Sequence, residues 1–244
     1  MSISTSAAAP PASDTHPLDS AAWTSLTGAH AHFALGRGLA RRYRPDVSPF
    51  AALATPDDGR AWADLGALYQ PEEVVALAGP PGFTRSLPRG WSLQGSVPGV
   101  QLVATPALET FPDEEARPLR ATDVAEALDL VARTEPGPFL PQTYRLGTYL
   151  GLWRGGRLVA MAGERLHPPG WTEISAVCTD PDHRRQGLAT RLIAAVADQI
   201  RARGETPFLH TGAANTRAIA LYEALGFELR RQVEFAALQA PTAG

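Results

Sequence analysis

The spacing of apolar residues changes along the second half of the chain, and the changes outline its elements. Leu188, Leu192, Val196 and Ile200 recur every fourth residue between Gly187 and Arg203, which is the repeat of one helical face. Gly204 follows where a helix commonly stops. Upstream, Tyr149–Trp153, Leu158–Leu166 and Thr172–Cys178 are short runs of aliphatic, aromatic and β-branched residues that read as strands. Arg154-Gly155-Gly156-Arg157 is a hairpin signal between the first two, and Pro168-Pro169-Gly170 turns the chain into the third. Before them, Arg117–Arg120 reads as a short edge strand. A helix follows, with Thr122 as its cap, Val124, Leu128 and Val131 on one face, and Glu135-Pro136-Gly137-Pro138 at its end. After the long helix come a strand over Pro207–Thr211, a helix over Thr216–Leu225 closed by Gly226, and a last strand over Glu228–Leu238. The order β-α-β-β-β-α-β-α-β predicts an α/β (α+β) domain with a mixed central sheet and helices on its faces.

The first half is less regular. Residues 1–17 are mostly Ser, Ala, Thr and Pro, too poor in large apolar groups to offset their ordering entropy, so a disordered tail is expected. Gln239–Gly244 has the same character. Trp62, Leu65, Leu68 and Tyr69 have helical spacing within 61–69. Val74–Ala78 reads as a short buried strand before the turn Gly79-Pro80-Pro81-Gly82, and Val100–Ala104 as another. Thr105-Pro106 and the acidic stretch after Phe111 look like a boundary. The expected division is therefore a tail (1–17), a smaller α+β region (18–112) and a second domain (113–244). The first region carries no chemical motif.

Composition narrows the function. A net charge of -3 and a pI near 6.1 argue against a nucleic-acid surface, which carries a basic patch or stripe. All 22 basic residues are Arg, which, with the abundant Ala, Gly and Pro, points to a GC-rich bacterial genome. Cys178 is the single cysteine, so no intrachain disulfide forms, consistent with a reducing cytoplasm. No secretory leader pattern is present, and no apolar run reaches the roughly 18 residues of a membrane helix. A soluble cytoplasmic protein is the expectation, with no membrane or nucleic-acid partner.

The chemistry concentrates in Asp180-Pro-Asp-His-Arg184-Arg185-Gln186-Gly187-Leu188-Ala189-Thr190, between a strand and the long helix. A helix N-terminus presents unpaired N–H groups and partial positive charge. Gly187 and the small Ala189 allow a phosphate to approach that backbone, and Arg184 and Arg185 add charge. The pattern lacks the Gly-Lys-Ser/Thr ending of a P-loop and the three glycines of a dinucleotide fingerprint. Taken alone it also fits an ordinary β-α turn. A second element, Asn215-Thr-Arg-Ala218-Ile-Ala-Leu221-Tyr222-Glu-Ala-Leu-Gly226-Phe227, follows the next strand. There Asn215 caps a helix and Tyr222 lies near the face carrying Ala218.

Arg184-Arg-Gln-Gly187-Leu-Ala189 resembles the acetyl-CoA signature of the GNAT superfamily, Gln/Arg-x-x-Gly-x-Gly/Ala, and Asn215–Phe227 resembles its downstream Asn…Leu-Tyr-Glu…Gly-Phe element. The resemblance spans about 117–244. Gly137-Pro-Phe139, Thr143-Tyr144, Leu146-Gly147 and Glu173–Thr179 are further similar to a bacterial subgroup related to a fungal-type acetyltransferase domain. The resemblance implies a GNAT fold preceded by the smaller region, which would then be a candidate degenerate half-copy of that fold. It also implies acetyl-CoA as co-substrate, an amine of a small molecule or polypeptide as acceptor, and direct transfer without a metal.

The implied site is specific. Val177, Cys178 and Thr179 would pair with the pantetheine arm, and the N–H groups of Arg185 through Ala189 would hold the pyrophosphate. Arg184 would add charge and Thr190 a hydroxyl. Asn215 and Ala218 would border the arm. Tyr222 would protonate the leaving thiolate; its alternative is an aromatic packed in the core. Glu173, sharing a strand face with Ser175 and Val177 if no bulge intervenes, is the leading general base against a plain solvated carboxylate. Glu164 is second choice. Cys178 as nucleophile is discounted, because no activating His adjoins it in sequence. His183 reads as a loop residue; His210 ends a strand and could reach the active cleft, with a satisfied core histidine as the favoured reading. Phe139, Tyr144 and Trp171 are candidate acceptor walls. The competing function is a non-catalytic acyl-CoA-binding regulatory module, and a weaker one makes the first half a protein-interaction domain.

Overall fold

The computed structural model describes residues 16–242, so the tail expected over 1–17 lies outside it except for His16 and Pro17. Pro17–Ser20 is a single 3-10 turn that leads into α1 (Ala21–Thr27). Three short strands, β1 (Ala34–Leu35), β2 (Ala40–Tyr43) and β3 (Ala51–Leu53), pair antiparallel in sequence order. Next comes α2 (Gly59–Gly66), whose Asp58 cap accepts from the Arg60 N–H. It buries Ala61, Trp62 and Leu65, as the spacing predicts, and Trp62 donates its indole N–H to the Pro56 carbonyl at 2.7 Å.

The chain then builds one large sheet. Its strands are β4 (Val74–Gly79), β5 (Ser92–Ala104), β6 (Arg117–Pro118), β7 (Tyr149–Arg154), β8 (Arg157–Glu164), β9 (Trp171–Thr179), β10 (Thr206–Gly212) and β11 (Phe227–Gln239). The helices between them are α3 (Val124–Thr134), α4 (Leu188–Ala202) and α5 (Thr216–Leu225). The spatial order is β4-β11-β5-β10-β9-β8-β7-β6. From β6 onward the sequence of elements is the predicted one. Gly155 and Gly156 both take positive φ (57° and 80°) in the β7–β8 turn, the conformation a tight hairpin requires.

Four expectations need correction. A boundary at 112/113 does not separate two sheets. Strands β4 and β5, from the N-terminal stretch, lie in the main sheet, and β5 is bonded on one edge to β10 and on the other to β11. A strand flanked on both sides, with Leu102 fully buried, belongs to the core of the unit that flanks it. Val74–Ala78 is also not wholly buried: β4 is an edge strand, and Val74 is 60% exposed. At the C-terminus, Gln239 still belongs to β11, and Ala240 is buried and exchanges backbone hydrogen bonds with Glu72 and Glu73. Thr122 does not cap α3. Asp123 holds the N-cap position, but its carboxylate makes no cap bond to α3; it accepts from the Arg120 N–H at 2.8 Å, closing the preceding 3-10 turn, and pairs with Arg117.

Two apolar layers hold the sheet. The predicted stripe of α4 packs with Leu150, Leu152, Val159, Ala160 and Ile174. On the opposite face Ala127 and Leu130 of α3 meet Tyr149, Met161, Ala176 and Cys178. Each buried Leu, Ile, Val or Met among them stabilises the fold by about 1.5–3 kcal/mol.

Candidate active site

Strands β9 and β10 part company in the middle of the sheet. They pair in parallel from Trp171/Thr206 to Ile174/Leu209, and the ladder ends there. On its other edge β9 slips against β8: Ser175 faces Gly163 and Cys178 faces Met161, with Ala176 and Val177 between. Ala176 has φ 52°, a left-handed conformation that marks a β-bulge. The bulge overturns the simple parity that grouped Glu173, Ser175 and Val177. Val177 instead packs toward the α4 layer, while Ala176 and Cys178 point into the α3 layer. The result is a cleft of about 940 Å³ between the diverging strands. Ile174–Thr179 line one wall and His210–Gly212 with Asn215 the other; Ala189 of α4 and Ala218 and Tyr222 of α5 also line it.

One end of the cleft is a donor-rich loop. Asp180 closes the turn after β9 by accepting from the Asp182 N–H at 3.0 Å and pairing with Arg133. Arg185 (φ 63°) and Gly187 (φ 74°) both adopt left-handed backbone. Among the described residues, the N–H groups of Arg185 through Thr190 have no hydrogen-bond acceptor. Successive amides in this alternation form a concave anion nest, here extended by the first turn of α4. A side-chain carbon added at Gly187 would meet nothing within 4 Å, so the loop is open to a ligand. Leu188 is buried and anchors the helix start, whereas Arg184, Arg185, Gln186 and Gly187 are exposed. These donors, the arginines and the open backbone fit a diphosphate.

Asn215 caps α5 through a hydrogen bond from the Ala218 N–H at 3.2 Å. Two turns on, the Tyr222 ring is buried beside Phe227, at 6.2 Å in an edge contact. Its hydroxyl has no hydrogen-bond partner among the described residues, and burial raises its pKa to about 12. A phenol in that state is a proton donor throughout the neutral range.

The polar floor of the cleft was only half visible in sequence. Glu173 is fully buried, with its carboxylate accepting from Arg165 Nε at 2.8 Å and Nη2 at 2.6 Å. His210 Nδ1 lies 2.8 Å from the same carboxylate. Burial works to raise the Glu173 pKa, but the Arg165 charge and these hydrogen bonds outweigh it and bring it to about 2. The carboxylate is thus ionised and fully engaged at neutral pH. On its other side His210 Nε2 is 3.0 Å from Gln101 Nε2. Sequence reasoning missed Gln101 and set His210 aside, because nothing in the local pattern of β5 announces its neighbour. Strands β5 and β10 are more than a hundred residues apart and meet only in the sheet.

Other candidates lie elsewhere. Glu164 is buried under Arg203, at 3.0 Å, and is not on the cleft. Cys178 contributes backbone to the wall, but its thiol is buried and pushed up to about 11. His183 sits 3.7 Å from Asp180 in the loop. Phe139 packs edge-on against Tyr149, Tyr144 packs against the same apolar cluster and Trp171 against a different one; none of the three lines the cleft. Phe50 and Phe235 line it instead, together with Tyr222. Among the described residues no group of three His, Cys, Asp or Glu side chains is arranged to hold a metal, and no helix is long and apolar enough to cross a membrane.

Known proteins resemble this arrangement. The profile of the FR47-like protein family matches residues 149–236. The [ribosomal protein bS18]-alanine N-acetyltransferase of Escherichia coli K12 is 33% identical over 115 residues, covering 45% of this chain and 77% of that protein. The N-alpha-acetyltransferase RimI of Mycobacterium tuberculosis is 37% identical over 90 residues, 34% of this chain and 56% of its own length. A crystal structure from Novosphingobium aromaticivorans, assigned to the GNAT acetyltransferases, is 40% identical and superposes with a TM-score of 0.85. It matches 93% of this chain and the whole of the other.

Proposed function

The chain belongs to the GNAT superfamily of N-acetyltransferases, and from that premise we propose that it carries acetyl from acetyl-CoA to an amine by direct transfer in a ternary complex. The observation that carries this reading is the coincidence of two features at one cleft: strands that diverge at a bulge, and a nest of unpaired amides at the adjoining helix start. The pantetheine arm occupies the gap beside Val177, Cys178 and Thr179, in the manner of an added strand. The diphosphate takes the N–H groups of Arg185–Ala189, with Thr190 offering its hydroxyl and Arg184 its charge. Asn215 holds the α5 end of the gap in shape, and Ala218 leaves room for the arm.

In the transfer, the neutral amine attacks the thioester carbonyl, and the oxyanion is met by backbone N–H at the bulge, near Val177. The C–S bond then breaks and Tyr222 gives its proton to the departing thiolate. The amide nitrogen sheds a proton to restore the phenol, directly or through water. The relatives are named for acetylating the alanine of bS18 and, in RimI, an α-amine, which puts a polypeptide N-terminus first among candidate acceptors. A bacterial cytoplasm is the compartment this chemistry suits. The reading is tested by thiol release from acetyl-CoA in the presence of peptides with free N-termini and of simple amines. Release with a stoichiometric acetylated product supports it, and tight acetyl-CoA binding with no release on any acceptor sinks it in favour of a binding module.

A further inference from the structure

An ammonium acceptor must lose a proton before it attacks, and the hydrogen bonds around His210 determine which of its nitrogens is free to take one. Gln101 is the key to the assignment. Its Oε1 accepts from Arg230 Nη1 at 2.7 Å, so its amide nitrogen faces the Leu18 carbonyl at 3.1 Å and His210 Nε2 at 3.0 Å. An amide nitrogen only donates, so His210 Nε2 is the acceptor and carries a lone pair. The ring proton is then on Nδ1, donated to Glu173. Glu173 in turn is fixed by both nitrogens it meets on Arg165. His210 is among the residues that line the cleft, and its side chain is 7% exposed.

We propose that His210 is the base of the transfer, accepting the acceptor's proton at Nε2, with Glu173 and Arg165 as positioning residues and Gln101 as the donor that the acceptor replaces. This rests on the acetyl-transfer reading above. The exchange conserves hydrogen bonding, because the ammonium N–H takes the place of the Gln101 N–H at the same lone pair. The step is R–NH₃⁺ plus neutral His210 giving R–NH₂ and imidazolium. The imidazolium keeps its Nδ1–H on an ionised carboxylate, the arrangement that stabilises a histidine base. The proton later passes to solvent, so that one proton is released per acetyl transferred. Charged groups facing the ring from the surrounding elements are Glu173 of β9, Arg165 before it, Arg230 and Arg231 of β11, and Asp19, which pairs with both of those arginines at 2.7 Å. Tyr43 and Tyr149 flank Glu173 and stay neutral, because burial pushes their pKa up. Within this frame Glu173 is the residue that orients the base and does not take the proton itself.

The test is the pH dependence of kcat/KM for full-length wild type, His210→Gln, Glu173→Gln and Glu135→Gln, with acetyl-CoA and a decapeptide beginning in alanine. Glu135 is included as the carboxylate that lines the cleft wall itself. His210→Gln is expected to lose about 10²–10⁴-fold at pH 6.5. It should regain most of that by pH 9, where an α-amine of pKa about 7.7–8.0 is already neutral. Glu173→Gln should show a smaller loss with the same recovery. Acetyl-CoA affinity measured by calorimetry should be unchanged in both, which separates a proton role from a folding defect. An equal loss in His210→Gln at both pH values, or a loss confined to low pH in Glu135→Gln instead, would overturn the proposal. A wild type that binds acetyl-CoA but turns over no acceptor at either pH would overturn the transfer reading along with it.

Discussion

Gln101 of β5 and His210 of β10 stand opposite one another in the antiparallel register, with their Nε2 atoms 3.0 Å apart. The pair ties a residue from the motif-free N-terminal stretch to the wall of the candidate active cleft, and Phe50 and Val97 from the same stretch line that cleft too. The first half of the chain therefore supplies part of the sheet and of the wall around this candidate cleft. A protein starting at residue 113 would lack β4 and β5 and expose the flanking edges of β10 and β11. Such a fragment is expected to give no cooperative unfolding transition and no acetyl-CoA binding. A sharp melt from residues 113–244 alone would restore the boundary at 112/113.

Tyr222 has a ring that packs and a hydroxyl that bonds to nothing in the described protein. Tyr222→Phe should keep the fold, since it removes no internal hydrogen bond. Its kcat should fall by about 10²–10⁴-fold with saturating acceptor, if the phenol protonates the thiolate. Acetyl-CoA affinity should change by no more than about tenfold, the worth of a single neutral hydrogen bond. Single-turnover quench measurements check this even where product release limits the steady state. An undiminished chemical step would leave water as the proton donor.

The chain has no lysine and one cysteine. Burial raises the Cys178 thiol to about 11, leaving little thiolate at neutral pH. Native protein incubated with acetyl-CoA should show mass gain only at the N-terminal amine, and iodoacetamide should label Cys178 slowly until the protein is denatured. Cys178→Ala should retain activity. Rapid acetylation of Cys178 that discharges to an added amine would replace direct transfer with a covalent intermediate.

Much of the sheet was legible because its signals are local. The stripe of α4, the Gly-Gly turn before β8 and the caps Asn215 and Gly226 each report on a few neighbouring residues. The anion loop was legible for the same reason. What escaped was decided by distant partners or by backbone geometry. The insertion of β5 between β10 and β11 depends on pairing across more than a hundred residues. The Ala176 bulge arises at a residue with no sequence preference for positive φ, and it alone turned Val177 to the other face. Glu173 was visible as a carboxylate at the right strand, but Arg165 and His210, which engage it, come from a turn and a different strand.

His30 offers a stability test away from the cleft. Its ring lies between the Tyr43 hydroxyl at 2.9 Å and the Leu146 carbonyl at 3.0 Å. Burial, with a smaller push from His167, lowers its pKa from 6.5 to about 4. The unfolded chain then binds a proton that the folded one refuses. The contribution is complete above pH 6.5 and is lost as pH falls from 6.5 toward 4, at no more than about 1.4 kcal/mol per pH unit. Urea midpoints for wild type should fall between pH 7.5 and 5, and the fall should be smaller in His30→Phe. An identical fall in the variant would assign the pH dependence to other groups.

Calorimetric titration of acetyl-CoA into wild type, Gly187→Ala and Gly187→Glu tests the account most directly. The loop at Gly187 has positive φ and open space in front of it, so alanine adds backbone strain of about 1–2 kcal/mol but no charge. Glutamate adds the same strain together with a carboxylate aimed at the diphosphate. The prediction is saturable binding in wild type, weakened binding with alanine, and no measurable heat with glutamate while the thermal unfolding of the two variants stays alike. Equal affinity in wild type and Gly187→Glu would contradict the account, because the diphosphate would then be held somewhere other than the amides that open the long helix.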